Sequence, residues 1–129
     1  MSERAAILIP LLLVLSGSCR IPINGPAGVL VSNFQFEPEA FDSFVGVSRA
    51  RYRLSQAAHT SLSIVRISDE GRRLPVKTLF QNLFETKGSH DHMWLGDTDQ
   101  GTFAPSGTYF GVLRAGSESF DTVVRVYHR

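Results

Sequence analysis

Cysteine is almost missing from this chain. Cys19 is the single one in 129 residues, so no internal disulfide can form and the fold must be held by its core. An excess of either charge is missing too. With 13 lysines and arginines against 12 aspartates and glutamates, there is no clustered basic surplus of the kind that binds nucleic acid regardless of its sequence. Nor are the low hydrophobicity and charge imbalance of disordered chains present, since 43% of the residues are hydrophobic. No apolar run is long enough for a membrane span. The longest, residues 5–15, falls short of the about 20 residues that a helix needs to cross ~30 Å of hydrocarbon, and Pro10 interrupts it. After residue 28 no stretch keeps apolar residues at helical spacing for long, and no internal repeat or low-complexity segment occurs. Catalytic patterns are lacking as well: there is no nucleophile elbow, phosphate loop, zinc-binding helix or pair of carboxylates in a cleft-forming context. The expectation is one domain without catalytic residues and without a cofactor.

What is present begins at the N-terminus. Arg4 and the free amine precede the apolar run of residues 5–15, and Ser16, Gly17 and Ser18 follow it, which is the layout of a secretory signal over residues 1–18. A cut after Ser18 makes Cys19 the first mature residue. Leu15-Ser16-Gly17-Ser18-Cys19 resembles a bacterial lipoprotein lipobox, and that resemblance implies lipidation of Cys19 and a membrane-anchored protein of the bacterial cell envelope. The alternative is a plain export signal with an incidental cysteine and a periplasmic or secreted product. Residues 19–29 hold Pro22, Gly25, Pro26 and Gly28 without periodicity and read as a tether.

Residues 30–129 read as the folded domain. Arg49, Arg51 and Arg53 alternate with Ala50, Tyr52 and Leu54, and Ser61 and Ser63 alternate with Thr60, Leu62 and Ile64; this period of two belongs to half-buried strands. Further strands are expected over residues 29–36, 74–80, 90–95, 108–114 and 120–127, each bounded by Gly, Pro, Asp or Ser. Seven short strands with turns between them predict an all-β, two-sheet antiparallel sandwich of the immunoglobulin or fibronectin type. Ala115-Gly116-Ser117 and Asp69-Glu70-Gly71 read as hairpin turns. Residues 81–88 read as a longer loop whose Leu83 and Phe84 cover a sheet edge or core end.

Several elements occur in a telling order: Gly71-Arg72-Arg73-Leu74, Val76-Lys77-Thr78-Leu79, Gly88-Ser89-His90, Trp94-Leu95-Gly96-Asp97 with Gly101, and Pro105-Ser106-Gly107-Thr108-Tyr109-Phe110. Over residues 34–129 this order and spacing resembles the Ig-like domain of the flagellar hook-assembly (FlgD-type) family, an appended sandwich module of bacterial surface and secreted proteins. The resemblance implies a module for protein–protein interaction, adhesion or assembly, or else a C-terminal β-domain that serves as a secretion signal. The chain departs from the family at Val65-Arg66, where Tyr-Asp is common, and at Gly111, where an aromatic is frequent. A glycine inside a strand marks a bulge or a close backbone approach.

The structural residues have their own physical reasons. Trp94 is the largest core side chain, Gly96 turns the chain sharply at the strand end, Gly107 permits a positive φ just before its strand, and Tyr109 is placed to send its hydroxyl back to a loop carbonyl. Three groups are candidates for binding. Arg49, Arg51 and Arg53 form a stripe on one strand face, either neutralised by Glu37 and Glu39 or free to meet anionic headgroups and envelope polymers. Asp97 and Asp99 resemble the start of a calcium loop, which would suit a calcium- or carbohydrate-binding sandwich, but also suit an Asx-rich turn. His90 and His92 share one strand face and can hold a transition metal if a third ligand approaches.

Overall fold

The computed structural model describes residues 30–128, and the compact unit begins at Val31. The expected signal, Cys19 and the tether lie outside the described residues. Eight strands follow: β1 Val31–Glu37, β2 Ala40–Asp42, β3 Ser48–Leu54, β4 Ala58–Ile67, β5 Arg73–Glu85, β6 Gly88–Trp94, β7 Gly107–Ala115 and β8 Glu118–Tyr127. They form a five-stranded sheet in the order β2-β8-β7-β4-β5 and a three-stranded sheet in the order β1-β3-β6. The all-β two-sheet sandwich is therefore what the chain builds, with eight strands in place of seven. The additional strand is β2, three residues long, and it pairs parallel to β8 while every other pairing is antiparallel.

Alternation decides which side chains form the core. On β3, Ser48, Ala50, Tyr52 and Leu54 are buried and the three arginines between them are exposed. Leu62 and Ile64 of β4, Leu113 of β7 and Val124 of β8 are fully buried from the opposite sheet. Trp94, at the end of β6, is inaccessible to solvent. Its ring meets Phe41 and Tyr109 edge to face, each at 5.7 Å, the arrangement that the ring quadrupole favours. Its indole N–H donates to the Asp97 carbonyl at 3.0 Å. The Tyr109 hydroxyl donates back to the Pro105 carbonyl.

Three glycines were singled out in the sequence. Gly96 has a φ of 76°, and a Cβ there would lie 2.4 Å from the Ser43 Cβ. Gly111 packs under Phe36, whose ring would lie 2.4 Å from an added Cβ, so the glycine in β7 marks a close approach between the sheets. Gly107 has a φ of 158°, close to extended, with open space where a Cβ would stand.

Both expected hairpin turns are present. Glu118 pairs with Ala115 across Gly116-Ser117, and Gly116, with a φ of 59°, supplies the left-handed residue this two-residue turn needs. Ser68 and Arg72 close the turn around Gly71 with a 2.8 Å bond from the Ser68 N–H to the Arg72 carbonyl. The segment 81–88 differs from expectation. β5 runs on to Glu85, and Leu83 and Phe84 stand exposed on that edge strand. The reason is a bulge: Leu62 pairs with Phe80 but Thr60 pairs with Leu83, so one extra residue enters β5 near Asn82, whose φ is 54°. The extra residue reverses the alternation. It turns Phe84 outward against His59, at 5.3 Å between ring centres, and Glu85 inward.

Candidate functional site

Residues from two loops and from the segment after β8 meet at one pole of the sandwich. The loop 43–47 joins β2 to β3, the loop 95–106 joins β6 to β7, and His128 follows β8. The Asp42 carboxylate accepts the Phe44 N–H at 3.0 Å, and the Asp42 carbonyl accepts the N–H groups of Val45 and Gly46 at 3.1 and 2.9 Å. The second loop is closed by the Thr98 N–H on the Thr102 carbonyl and the Ala104 N–H on the Gly96 carbonyl, each at 2.8 Å. These bonds place Phe44 and Phe103 edge to face at 4.7 Å. The His128 ring stacks on Phe44 at 4.1 Å and meets the Ser43 hydroxyl at 3.0 Å. Phe44 remains 51% exposed, Phe103 55%, Leu95 50% and Val45 85%. Together they border a depression of about 460 Å³. Exposed apolar side chains gathered in this way can serve as a contact surface.

The arginine stripe lies on the outer face of the three-stranded sheet. Arg51 pairs with Glu37 at 2.7 Å, and Asp91 lies 3.7 Å from Arg49 and 3.9 Å from Arg51. Among the described residues, Arg53 meets the Ser89 hydroxyl, at 3.4 Å. Glu39, expected beside the stripe, pairs instead with Arg125 on β8, because the chain has crossed to the other sheet by that residue. Two carboxylates thus sit among three guanidiniums, and exposed pairs of this kind contribute about 0–1 kcal/mol each.

Asp97 and Asp99 have separate partners. Asp97 pairs with Lys77 at 3.0 Å. Asp99 acts as a strand in miniature on the open edge of β5. Its N–H donates to the Val76 carbonyl at 2.9 Å, and its carboxylate accepts the Thr78 N–H at 3.1 Å.

Near the opposite pole lies a polar cluster that the sequence reading did not assemble. The Glu85 side chain is 5% exposed. It accepts the Tyr52 hydroxyl, the Thr60 hydroxyl at 2.9 Å and the His92 Nε2–H at 2.7 Å, while His90 Nδ1 lies 3.5 Å away. Burial works against the charged carboxylate, but the bonds from Tyr52, His92 and Thr60 outweigh it and hold the Glu85 pKa below its ordinary value. Burial, with Glu85 alongside, pushes the Tyr52 hydroxyl pKa well up. The carboxylate is ionised and the phenol neutral, so the cluster ties β3, β4, β5 and β6 together across the two sheets. Its sequence signal was the pair His90 and His92; Glu85 was hidden by the bulge. Likewise Phe44, Phe103 and His128 carry no motif and meet only through loop closure.

No family model matches the chain, and no curated protein matches it.

Proposed function

We propose that this chain is an exported, lipid-anchored Ig-like module that binds another protein at the bacterial cell envelope and carries out no catalysis. The observation that carries the reading is the ordered Phe44, Phe103 and His128 surface with Val45 and Leu95. It lies at the pole where β3 and β7 begin and β6 and β8 end, whereas the chain enters the domain at Val31, paired with Leu54 at the other pole. A domain tethered through residues 19–29 to a lipid on Cys19 would hold that surface away from its point of attachment. The resemblance of residues 34–129 to the flagellar hook-assembly type of domain supports the same class of role.

The test expresses the full chain in a bacterial host beside Cys19→Ser and Phe44→Ser/Phe103→Ser. The expected parent loses residues 1–18, gains acyl mass and enters the detergent phase, while Cys19→Ser stays aqueous. The double variant is expected to remain anchored and to lose the envelope cross-links that the parent forms. An unmodified, water-soluble parent would overturn the anchor, and identical cross-links in both would overturn the surface.

A further inference from the structure

The pole where the chain enters the domain carries an excess of one charge. There β3 ends at Leu54, β5 at Glu85 and β7 at Ala115, while β4, β6 and β8 begin. The bonds from Tyr52 and Thr60 to Glu85 hold the two sheets level with each other at this end. Arg53 follows Tyr52 on β3, between Ser32 of β1 and Ser89 of β6. Arg114 precedes Ala115, which pairs with Thr60. Lys87 lies in the short connection that crosses from β5 to β6, from one sheet to the other. All three side chains are exposed. Among the described residues none of them has an ion pair, in contrast to Arg51, Arg73 and Arg125. Of the acids near this end, Glu85 is buried and already accepts bonds from three side chains, and Asp91 faces Arg49 and Arg51. Glu118 at the start of β8 remains, so three cations stand against one carboxylate at the surface of this pole.

We infer that this pole rests on an anionic lipid surface, with Arg53, Lys87 and Arg114 meeting the headgroup phosphates. Arg53 and Arg114 leave the outer faces of the two sheets, and Lys87 stands between the sheets. Long basic side chains keep their stems on the protein and carry their charge outward, so the three can reach one plane beyond the strand ends. Guanidinium groups bond phosphate oxygens in pairs, and an ammonium meets them as a point charge. The inference rests on the anchored reading for its direction. Val31 pairs with Leu54, the residue after Arg53, and residues 19–29 span at most about 40 Å even when fully extended. A lipid on Cys19 therefore keeps this pole beside the bilayer at high effective concentration. With the basic pole on the membrane, the pole of Phe44 and Phe103 is turned away from it toward a partner.

The test uses the full chain with Cys19→Ser, which cannot be acylated, so that binding through the pole is measured apart from the anchor. Vesicles of phosphatidylcholine are compared with vesicles of seven parts phosphatidylcholine to three of phosphatidylglycerol. At low salt the chain is expected to bind the anionic vesicles roughly a hundredfold more tightly than its variant Arg53→Ser/Lys87→Ser/Arg114→Ser. The gap should close in about 1 M salt, where charges are screened beyond ~3 Å. Arg53→Lys/Arg114→Lys keeps the charges and should bind as the unsubstituted pole does. Arg66→Ser/Arg72→Ser/Arg125→Ser removes as much charge from the opposite end and should also keep the binding. The inference is overturned if the chain binds both kinds of vesicle alike, if the first triple variant loses nothing, or if the two triple variants weaken binding equally. A parent chain that is not acylated would overturn the anchor alone, because the vesicle result does not depend on it.

Discussion

At Gly96 and Gly111 the side chain that is missing matters more than any that is present. A methyl group at Gly96 would enter Ser43 while the backbone holds a φ of 76°, so Gly96→Ala should cost about 2 kcal/mol or more in urea unfolding. Gly111→Ala should cost about 1–3 kcal/mol because the buried Phe36 ring has nowhere to retreat. Combined with Phe36→Leu its penalty should shrink, and a double-mutant cycle with no coupling between the two sites would refute this account of Gly111. Tyr109 sets an alkaline limit. Burial raises its pKa, with Arg66 opposing. Its folded value thus lies above its unfolded value near 10, and the stability it confers is full below about pH 10 and declines as pH rises further. Tyr52 adds to the same decline. Tyr109→Phe should lose about 1 kcal/mol at neutral pH with the bond to Pro105, and its urea midpoint should then fall less steeply than the parent's between pH 9 and 11. These residues were visible in the sequence because each sits at a strand end or in a regular alternation.

Strands with unbroken alternation, such as β3 and β4, could be read residue by residue, inner face and outer. β5 could not. Its extra residue near Asn82 is set by pairing with β4 and leaves no mark in composition, so Glu85 looked like part of a loop and Phe84 like a cover over a sheet edge or core end. The same strand shows how an open edge is managed. Its outer N–H and C=O groups invite pairing with another chain, and Asp99 occupies two of them, at Thr78 and Val76. Asp99→Ala should therefore do more than remove one hydrogen bond worth about 1 kcal/mol. Concentration-dependent self-association should increase, as read by light scattering, whereas Asp99→Asn, which keeps an acceptor for Thr78, should behave as the parent. Equal association of both variants would show that the edge is protected by something other than this residue.

For the molecule as a whole, the buried core and the exposed aromatic pole are placed apart. The Trp94 core lies between the sheets, and truncating it to alanine should cost about 3–5 kcal/mol. Phe44→Ser/Phe103→Ser alters side chains that are more than half exposed. It should move the unfolding free energy by less than about 1 kcal/mol while removing most of the partner binding proposed above. A loss of several kcal/mol would mean that the aromatics belong to the core and not to a binding surface. The all-β sandwich was legible because a period of two recurs through most of the chain; the poles were not, because they are made where loops converge. One further property follows from β2. Its residues Ala40–Asp42 run parallel to Arg125–Tyr127, and the domain's chain enters at the pole opposite the one where β8 ends. Tension applied between those two points would drag β2 and β8 past each other along their length. Their hydrogen bonds stand across the line of pull, so they share the load and break together instead of unzipping in turn. In that direction the short β2–β8 pairing resists as one unit.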